Sequence, residues 1–287
     1  MNTSPFCFFF FFPRGGWNWP HLSLLLALPA YAWLAGRLGW QADLILTFGT
    51  LAGLAWLMLW ERLRPARPDW QASATELARD LGALGVNALV DAAAGLLITG
   101  AALHWQAGRT QPGLAQDLTP VLALPLAVAL GELGPYWLHR AAHRLPWLWR
   151  FHALHHWPAA LNASNSVLVH PVNLLWNKFA RVAPWLLLGF SAEAMLWAAL
   201  FIQLQSLAVH ANLRGSLGPL NWLIGSAELH RWHHSVQAAE AHNYGTALPL
   251  WDQLFGSFVH RPGARPARVG WLAGAVRPRR APYLGCC

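Results

Sequence analysis

The stretch from His139 to His156, HRAAHRLPWLWRFHALHH, carries five histidines in eighteen residues. They fall as His139-x-x-x-His143 and His152-x-x-His155-His156, and the second spacing returns at His230, His233 and His234. Neutral imidazole is the commonest metal ligand among side chains. Positions i, i+3 and i+4 share one face of an α-helix, because the helix repeats every ~3.6 residues. One such pair can clamp a metal, and several facing pairs can hold two. The eight histidines of the three motifs exceed what one metal uses, so two metals with four or more imidazoles each is the simple solution. Such a donor set suits zinc, copper, iron or nickel and does not choose among them. An interfacial helix that merely happened to contain histidines would not repeat the spacing.

These ligands need elements to hold them. Of the 287 residues, 55% are hydrophobic and 11% charged, against roughly 25% charged in an average soluble domain. The composition is that of an all-α integral membrane protein, and the 19 tryptophans suit a membrane interface. Apolar segments of the length a bilayer-spanning helix needs fall at about 22–40, 42–60, 81–103, 118–138, 172–190 and 191–209. The fifth is the weakest, since Asn177, Lys178 and Arg181 interrupt its first half. About six transmembrane helices are therefore expected. A tail and two-helix hairpin would occupy 1–80, a catalytic domain 81–260 and a basic tail 261–287. The net charge of +8 comes from arginines clustered just outside the apolar segments, which reads as loops facing anionic lipid and not as a nucleic-acid surface. With six crossings, the basic stretches at 61–68, 139–150 and 261–280 share one side, expected to be cytoplasmic, and the histidine motifs fall there too. The membrane would thus carry a cytoplasmic histidine-rich helical cap.

Other residues divide by position. Glu132, Tyr136, His139 and His143 form one helical stripe if the helix continues past Pro135, which should kink it. Glu132 is a candidate to accept the outer ring N–H of a metal-bound histidine, or else to pair with Arg140. Asn87 and Asp91 lie one turn apart inside the third segment, where a charge must face protein or water. His210 closes the sixth segment within reach of the centre. His170 is either a ligand or a hydrogen-bonding neighbour of one, His242 a hydrogen-bonding group, and His104 lies at the opposite membrane face. The cysteines, Cys7, Cys286 and Cys287, form no CxxC, so a cysteine zinc site or iron–sulfur cluster is not available. The phenylalanine-rich start lacks the basic lead of a signal peptide.

The segments YWLHRAAH (136–143), WRFHALHH (149–156) and HRWHH (230–234), together with His170-Pro171, His210-Ala211-Asn212, Asn243-Tyr244-Gly245 and Trp251-Asp252-x-Leu254-Phe255-Gly256, resemble the fatty acid hydroxylase/sterol desaturase superfamily over about residues 118–260. The resemblance implies a dinuclear non-haem iron site held by His139, His143, His152, His155, His156, His170, His210, His230, His233 and His234, with zinc as a possible substitute and O2 as co-substrate. It adds Tyr136, Glu132, Asn243 and Asp252 as further site residues. Glu132 stands where the family has aspartate. The implied activity is hydroxylation or desaturation of a lipid C–H bond.

No G-x-G-x-x-G loop or cysteine cluster is present to carry electrons. A separate donor such as a ferredoxin or a cytochrome b5-type protein is expected, drawn by the basic face. Two other readings compete. A histidine-rich metal transporter would place its ligands near the bilayer midplane. A non-catalytic lipid-binding relative would not need every histidine intact.

Overall fold

The computed structural model describes residues 16–108 and 113–271. The phenylalanine-rich start with Cys7, the Cys286-Cys287 end and the tail beyond residue 271 lie outside them.

The first expected crossing, 22–40, is two helices, α1 (Trp19–Leu26) and α2 (Leu28–Arg37), which meet at Ala27. Pro29 explains the break: it has no N–H for the preceding turn but is well suited to a first helical turn. The other segments form single helices: α3 (Ala42–Leu63), α4 (Ala74–Ala107), α5 (Pro120–Ala142), α7 (Pro171–Leu188) and α8 (Ala192–His210). Helix α5 continues without interruption through Pro125 and Pro135. The short helices α6 (Pro146–His152), α9 (Ala227–His233) and α10 (Leu250–Leu254) belong to the cap. Serine side chains accept backbone N–H groups at three helix starts, Ser73 from Glu76 for α4, Ser191 from Ala194 for α8 and Ser226 from Leu229 for α9.

Among the described residues, α3, α4 (through Ala102), α5 and α8 are long and apolar enough to cross a membrane. Helix α7 is not among them, because Asn173, Asn177, Lys178 and Arg181 interrupt its apolar run. The contacts nevertheless fix the direction of every long element. Gly49 and Gly53 of α3 meet Leu200 and Leu204 of α8, so these two run parallel. His21 lies against Gln205 and Tyr31 against Trp197, so the α1–α2 pair runs opposite to α8. Gly131 meets Trp185 and Gly134 meets Ala180, so α5 and α7 are antiparallel. Asn87 reaches Val169 and Asp91 reaches Lys178, so α4 and α7 are parallel. The chain thus runs the length of the bundle six times, with both α5 and α8 ending at the histidine-bearing end.

Close packing sets α5 against α7. A Cβ on Gly134 would lie 2.7 Å from the Ala180 carbonyl oxygen, so only glycine allows this approach, as is common between membrane helices. The bundle's outer face is apolar: Leu89, Leu96, Leu97 and Val121 are each at least 70% exposed, a surface suited to lipid and not to water. Exposed Trp19, Trp147, Trp157 and Trp222 ring the capped end.

Loops of the cap are tied to the helix ends by buried carboxylates. Glu61, at the end of α3, accepts the N–H groups of Ala163 at 2.7 Å and Asn212 at 2.6 Å. Asp80 of α4 accepts the Ser164 hydroxyl at 2.8 Å. A buried N–H left without an acceptor is costly, so these acids fix the course of residues 160–168 and 211–213.

Candidate metal centre

Nine histidines converge at the capped end in two groups. His139, His143, His152, His156 and His233 form the first; His155, His210, His230 and His234 form the second. Within each group one ring nitrogen per residue lies within 4.8 Å of all the others. Each H-x-x-H-H motif is divided between the groups. His152 and His156 go to the first group and His155 to the second; His230 and His234 go to the second and His233 to the first. For the second motif, on α9, the cause is angular. Positions i and i+4 differ by ~40° around a helix, whereas neighbouring residues differ by ~100°. An i, i+4 pair therefore converges, and the residue between is turned away. The first motif is also not wholly helical: α6 ends at His152, and His155 and His156 sit in the following turn, with i→i+3 bonds from His155 to His152 and from His156 to Ala153.

Outer hydrogen bonds set the ring tautomers. His139 Nδ1 lies 2.7 Å from the Tyr244 carbonyl and His233 Nδ1 lies 3.0 Å from the His242 carbonyl. A carbonyl oxygen only accepts, so both Nδ1 atoms donate and both Nε2 atoms carry lone pairs. Asn173 Oδ1 holds His152 Nδ1 at 2.8 Å, and Asn165 Oδ1 holds His210 Nδ1 at 3.2 Å. Asn165 is oriented by its own amide, which donates to the Ala160 carbonyl at 2.8 Å.

The Nε2 atoms then crowd together. His156 Nε2 is 3.1 Å from that of His152 and 3.1 Å from that of His233. His210 Nε2 is 3.2 Å from that of His155 and 3.0 Å from that of His230, which is 3.1 Å from that of His234. A single proton on His156 Nε2 can bridge to one neighbour, not two. Extra protons are disfavoured: burial, then the neighbouring histidines, hold His156 and His234 well below the usual imidazole range. The same causes hold His230 well below it and push His155 down to about 3. Converging lone pairs on neutral, buried rings fit a metal cation in each group, and an all-imidazole set fits iron or zinc.

The further candidates take supporting places. Glu132 accepts the N–H groups of Ala247 at 2.7 Å and Thr246 at 3.2 Å, and its other oxygen faces Arg181 at 3.6 Å. Its charged partner is thus Arg181, not Arg140, and it holds a loop, not a histidine ring. Arg140 donates to the Tyr136 hydroxyl at 2.7 Å and the Phe255 carbonyl at 2.9 Å. Ser257 donates to Asp252 at 2.7 Å, so Tyr136 in turn donates to Ser257, also at 2.7 Å. Asp252 also accepts the N–H groups of Tyr244 at 2.8 Å and Gly245 at 2.7 Å. It thereby shapes the turn whose carbonyl orients His139, and burial pushes its pKa up to about 6. Asn243, at φ 58°, ties Leu229 to Val259.

His170 lies in neither histidine group. Its Nδ1 accepts the Val172 N–H at 3.1 Å and caps α7, with the ring against Phe151. His242 contributes its backbone carbonyl to His233, while its ring faces the Ala239 carbonyl. His104 is exposed near the end of α4 away from the cap. Asn165, Asn173, Glu61 and Asp80 were not singled out by motif or spacing. The only hint to them is that polar side chains interrupt otherwise apolar or aromatic stretches.

A cavity of about 230 Å³ opens between α4, α5, α7 and α8 and touches both groups, through His139 and His152 of the first and His155, His210 and His230 of the second.

A family model described as fatty acid hydroxylase matches residues 124–257. The ornithine lipid hydroxylase OlsE of Rhizobium tropici is 31% identical over 241 residues, covering 79% of this chain and 70% of that one. Alkylglycerol monooxygenase of Xenopus tropicalis is 29% identical over 150 residues, 51% of this chain and 31% of that one. A very-long-chain aldehyde decarbonylase of Oryza sativa subsp. indica is 33% identical over 126 residues, 42% of this chain and 46% of that one. The chain thus spans less than half the length of the last two relatives. No solved structure matches the chain significantly. The matched region holds all nine converging histidines, and the first relative is covered over more than two thirds of its length: the chain belongs to the fatty acid hydroxylase family.

Proposed function

We propose that the protein is a membrane-embedded, O2-dependent enzyme that oxidises a C–H bond of a lipid. The observation that carries this reading is the pair of histidine groups whose ring nitrogens converge beside one cavity. Relatives named as a lipid hydroxylase and a monooxygenase support it. The first group would hold one iron and the second another; two irons bound there would supply the O2 chemistry that removes hydrogen from carbon. Zinc would compete for the same nitrogens, since it binds such sites more tightly than ferrous iron.

The chain's own residues have separable tasks. Tyr244 and His242 carbonyls, with Asn173 and Asn165, keep Nδ1 protonated on His139, His233, His152 and His210, which leaves Nε2 free to bind metal. The Arg140–Tyr136–Ser257–Asp252 chain and Glu132 hold the 244–247 loop against α5. Trp149, packed 5.3 Å from His143 and 5.3 Å from His156 between ring centres, shields the first group from water. The cavity is smaller than the ~300–1,000 Å³ of a typical ligand pocket, so it admits part of a lipid and leaves the remainder in the bilayer.

Six passes of the bundle correspond, in this reading, to six membrane crossings, with α7 packed against α4 and α5. Exposed Arg64, Arg144, Arg150 and Arg214 lie at the capped end, and under the positive-inside rule these basic residues support a cytoplasmic orientation of that end. The same surface suits an acidic electron donor of the ferredoxin or cytochrome b5 type. In a variant lacking Cys7, Cys286 and Cys287, single cysteines at Leu114 and Arg214 should label from opposite sides of the membrane. Labelling from one side would refute the six crossings.

The test of activity is lipid mass spectrometry of cells grown under isotopically heavy O2, with and without the protein. A lipid that gains one heavy oxygen indicates hydroxylation, and one that loses two hydrogens indicates desaturation. An unchanged lipid profile in the presence of a competent donor would contradict the proposal.

A further inference from the structure

The cavity beside the histidines is not an apolar tunnel. Lys178 and Arg181 of α7 reach into it, opposite Asp91 of α4 and Glu132 of α5. Lys178 Nζ lies 2.6 Å from Asp91 Oδ1, and Arg181 lies 3.6 Å from Glu132. Gln203 and Ser206 of α8 add neutral polar groups to the same lining. By helical rise, Lys178 stands about 8 Å and Arg181 about 12 Å along α7 from Asn173, the residue that orients His152. These charges therefore sit one to two turns below the histidine layer, with Asp91 inside the length of α4 that is apolar enough to cross a membrane.

Ionisable groups on membrane helices are costly and face cavities or partners. The Lys178–Asp91 pair touches none of the nine histidines, so metal binding does not account for it. Its side chains are also partly open, 20% exposed for Lys178 and 54% for Asp91. An open ion pair at the mouth of a cavity is a ready exchange site. A ligand carrying both charges can replace each partner with another of the same sign. An uncharged lipid tail would instead be buried against charges it cannot satisfy.

We propose that this cavity binds the zwitterionic headgroup of a lipid, with Lys178 and Arg181 taking its anionic oxygens, carboxylate or phosphate, and Asp91 its ammonium. The proposal rests on the lipid-oxygenase reading and names its substrate class. It places the oxidised carbon one to two helical turns along α7 from the anchored charge, in the headgroup or the carbons next to it and not at a distant chain end.

The test measures binding and turnover separately on the full-length protein in detergent. Four probes share the same acyl chains: an amide-linked amino-acid lipid with free ammonium and carboxylate, phosphatidylethanolamine, phosphatidylglycerol and diacylglycerol. Native mass spectrometry should show at least one of the two zwitterions binding ten times more tightly than diacylglycerol, the tighter one telling carboxylate from phosphate. Lys178→Met should remove most of that preference and Lys178→Arg should keep it. Asp91→Asn should weaken the zwitterions and leave phosphatidylglycerol unaffected. Equal binding of diacylglycerol by the unaltered protein would overturn the proposal whether or not any variant folds. So would an unchanged preference in Lys178→Met. Lipid oxidation without a headgroup preference would remove this site and leave the oxygenase reading standing. A preference without oxidation of any lipid would do the reverse.

Discussion

The two histidine groups draw on the same two H-x-x-H-H motifs yet are supported by different parts of the chain. The first is anchored by the 242–246 loop, where backbone carbonyls of His242 and Tyr244 orient two rings, and Asn243 and Asp252 hold the loop's shape. The second is anchored by the 160–168 loop, where the Asn165 side chain orients His210 and Glu61 and Asp80 hold the backbone. A motif fixes which nitrogens can converge, whereas the supporting loop fixes their tautomer and aim. Two groups with separate supports should be separable by mutation.

The largest effect should follow removal of one ligand from either group. His233→Ala and His210→Ala should each reduce lipid oxidation to background and lower bound metal from about two per chain toward about one, by weakening the group that loses a ligand. Loss of both metals from either variant would show that the groups are one cooperative site.

Removing an outer acceptor should act more gently and on one group. Asn173→Leu should weaken metal at the first group, and Asn165→Leu at the second, each by about 10–100-fold, the usual cost of losing such a partner. Chelator titration followed by metal analysis reads this directly. Equal weakening of both groups by each variant would erase the distinction between the two supports.

Asp252 gives a pH signature for the first loop. Its carboxyl is raised from 3.8 to about 6 by burial, so the folded state holds the proton more tightly than the unfolded chain. The stability this brings is fully present below pH 3.8 and is lost as the pH rises through about 6. Relative to Asp252→Asn, the unaltered protein should therefore lose stability between those pH values, on the order of 3 kcal/mol. Histidine titration is common to both proteins and cancels. Parallel thermal unfolding curves across that window would contradict the assignment.

The smallest effects belong to histidines outside both groups. His170→Ala should cost about 1 kcal/mol through loss of the α7 cap and leave both metals bound. His104→Ala should change neither stability nor metal content. Metal loss in a folded His170→Ala protein would return that residue to the site.

Much of this arrangement was legible in the residues, because histidine spacing and runs of apolar residues report on local helix geometry. The long helices appear where hydropathy put them, and nine of the ten proposed ligands come together. What escaped depends on contacts distant in sequence. Nothing near Asn165 or Asn173 marks them as partners of His210 and His152, 45 and 21 residues away. Position on the helix offers Glu132 a histidine ring or Arg140, while its charged partner Arg181 comes from α7. The division of the second H-x-x-H-H motif follows from the ~100° step between neighbouring helical residues, and that of the first from the turn after His152, but only once the opposing ligands are in place. The break at Ala27 was hidden because hydropathy averages over Pro29.

The most direct measurement is the metal content of the full-length protein, purified without oxygen, stripped and titrated with ferrous iron. Two irons per chain should bind, with one retained in His233→Ala and one in His210→Ala. One iron or fewer in the folded, unaltered protein would contradict a two-metal centre built from two histidine groups.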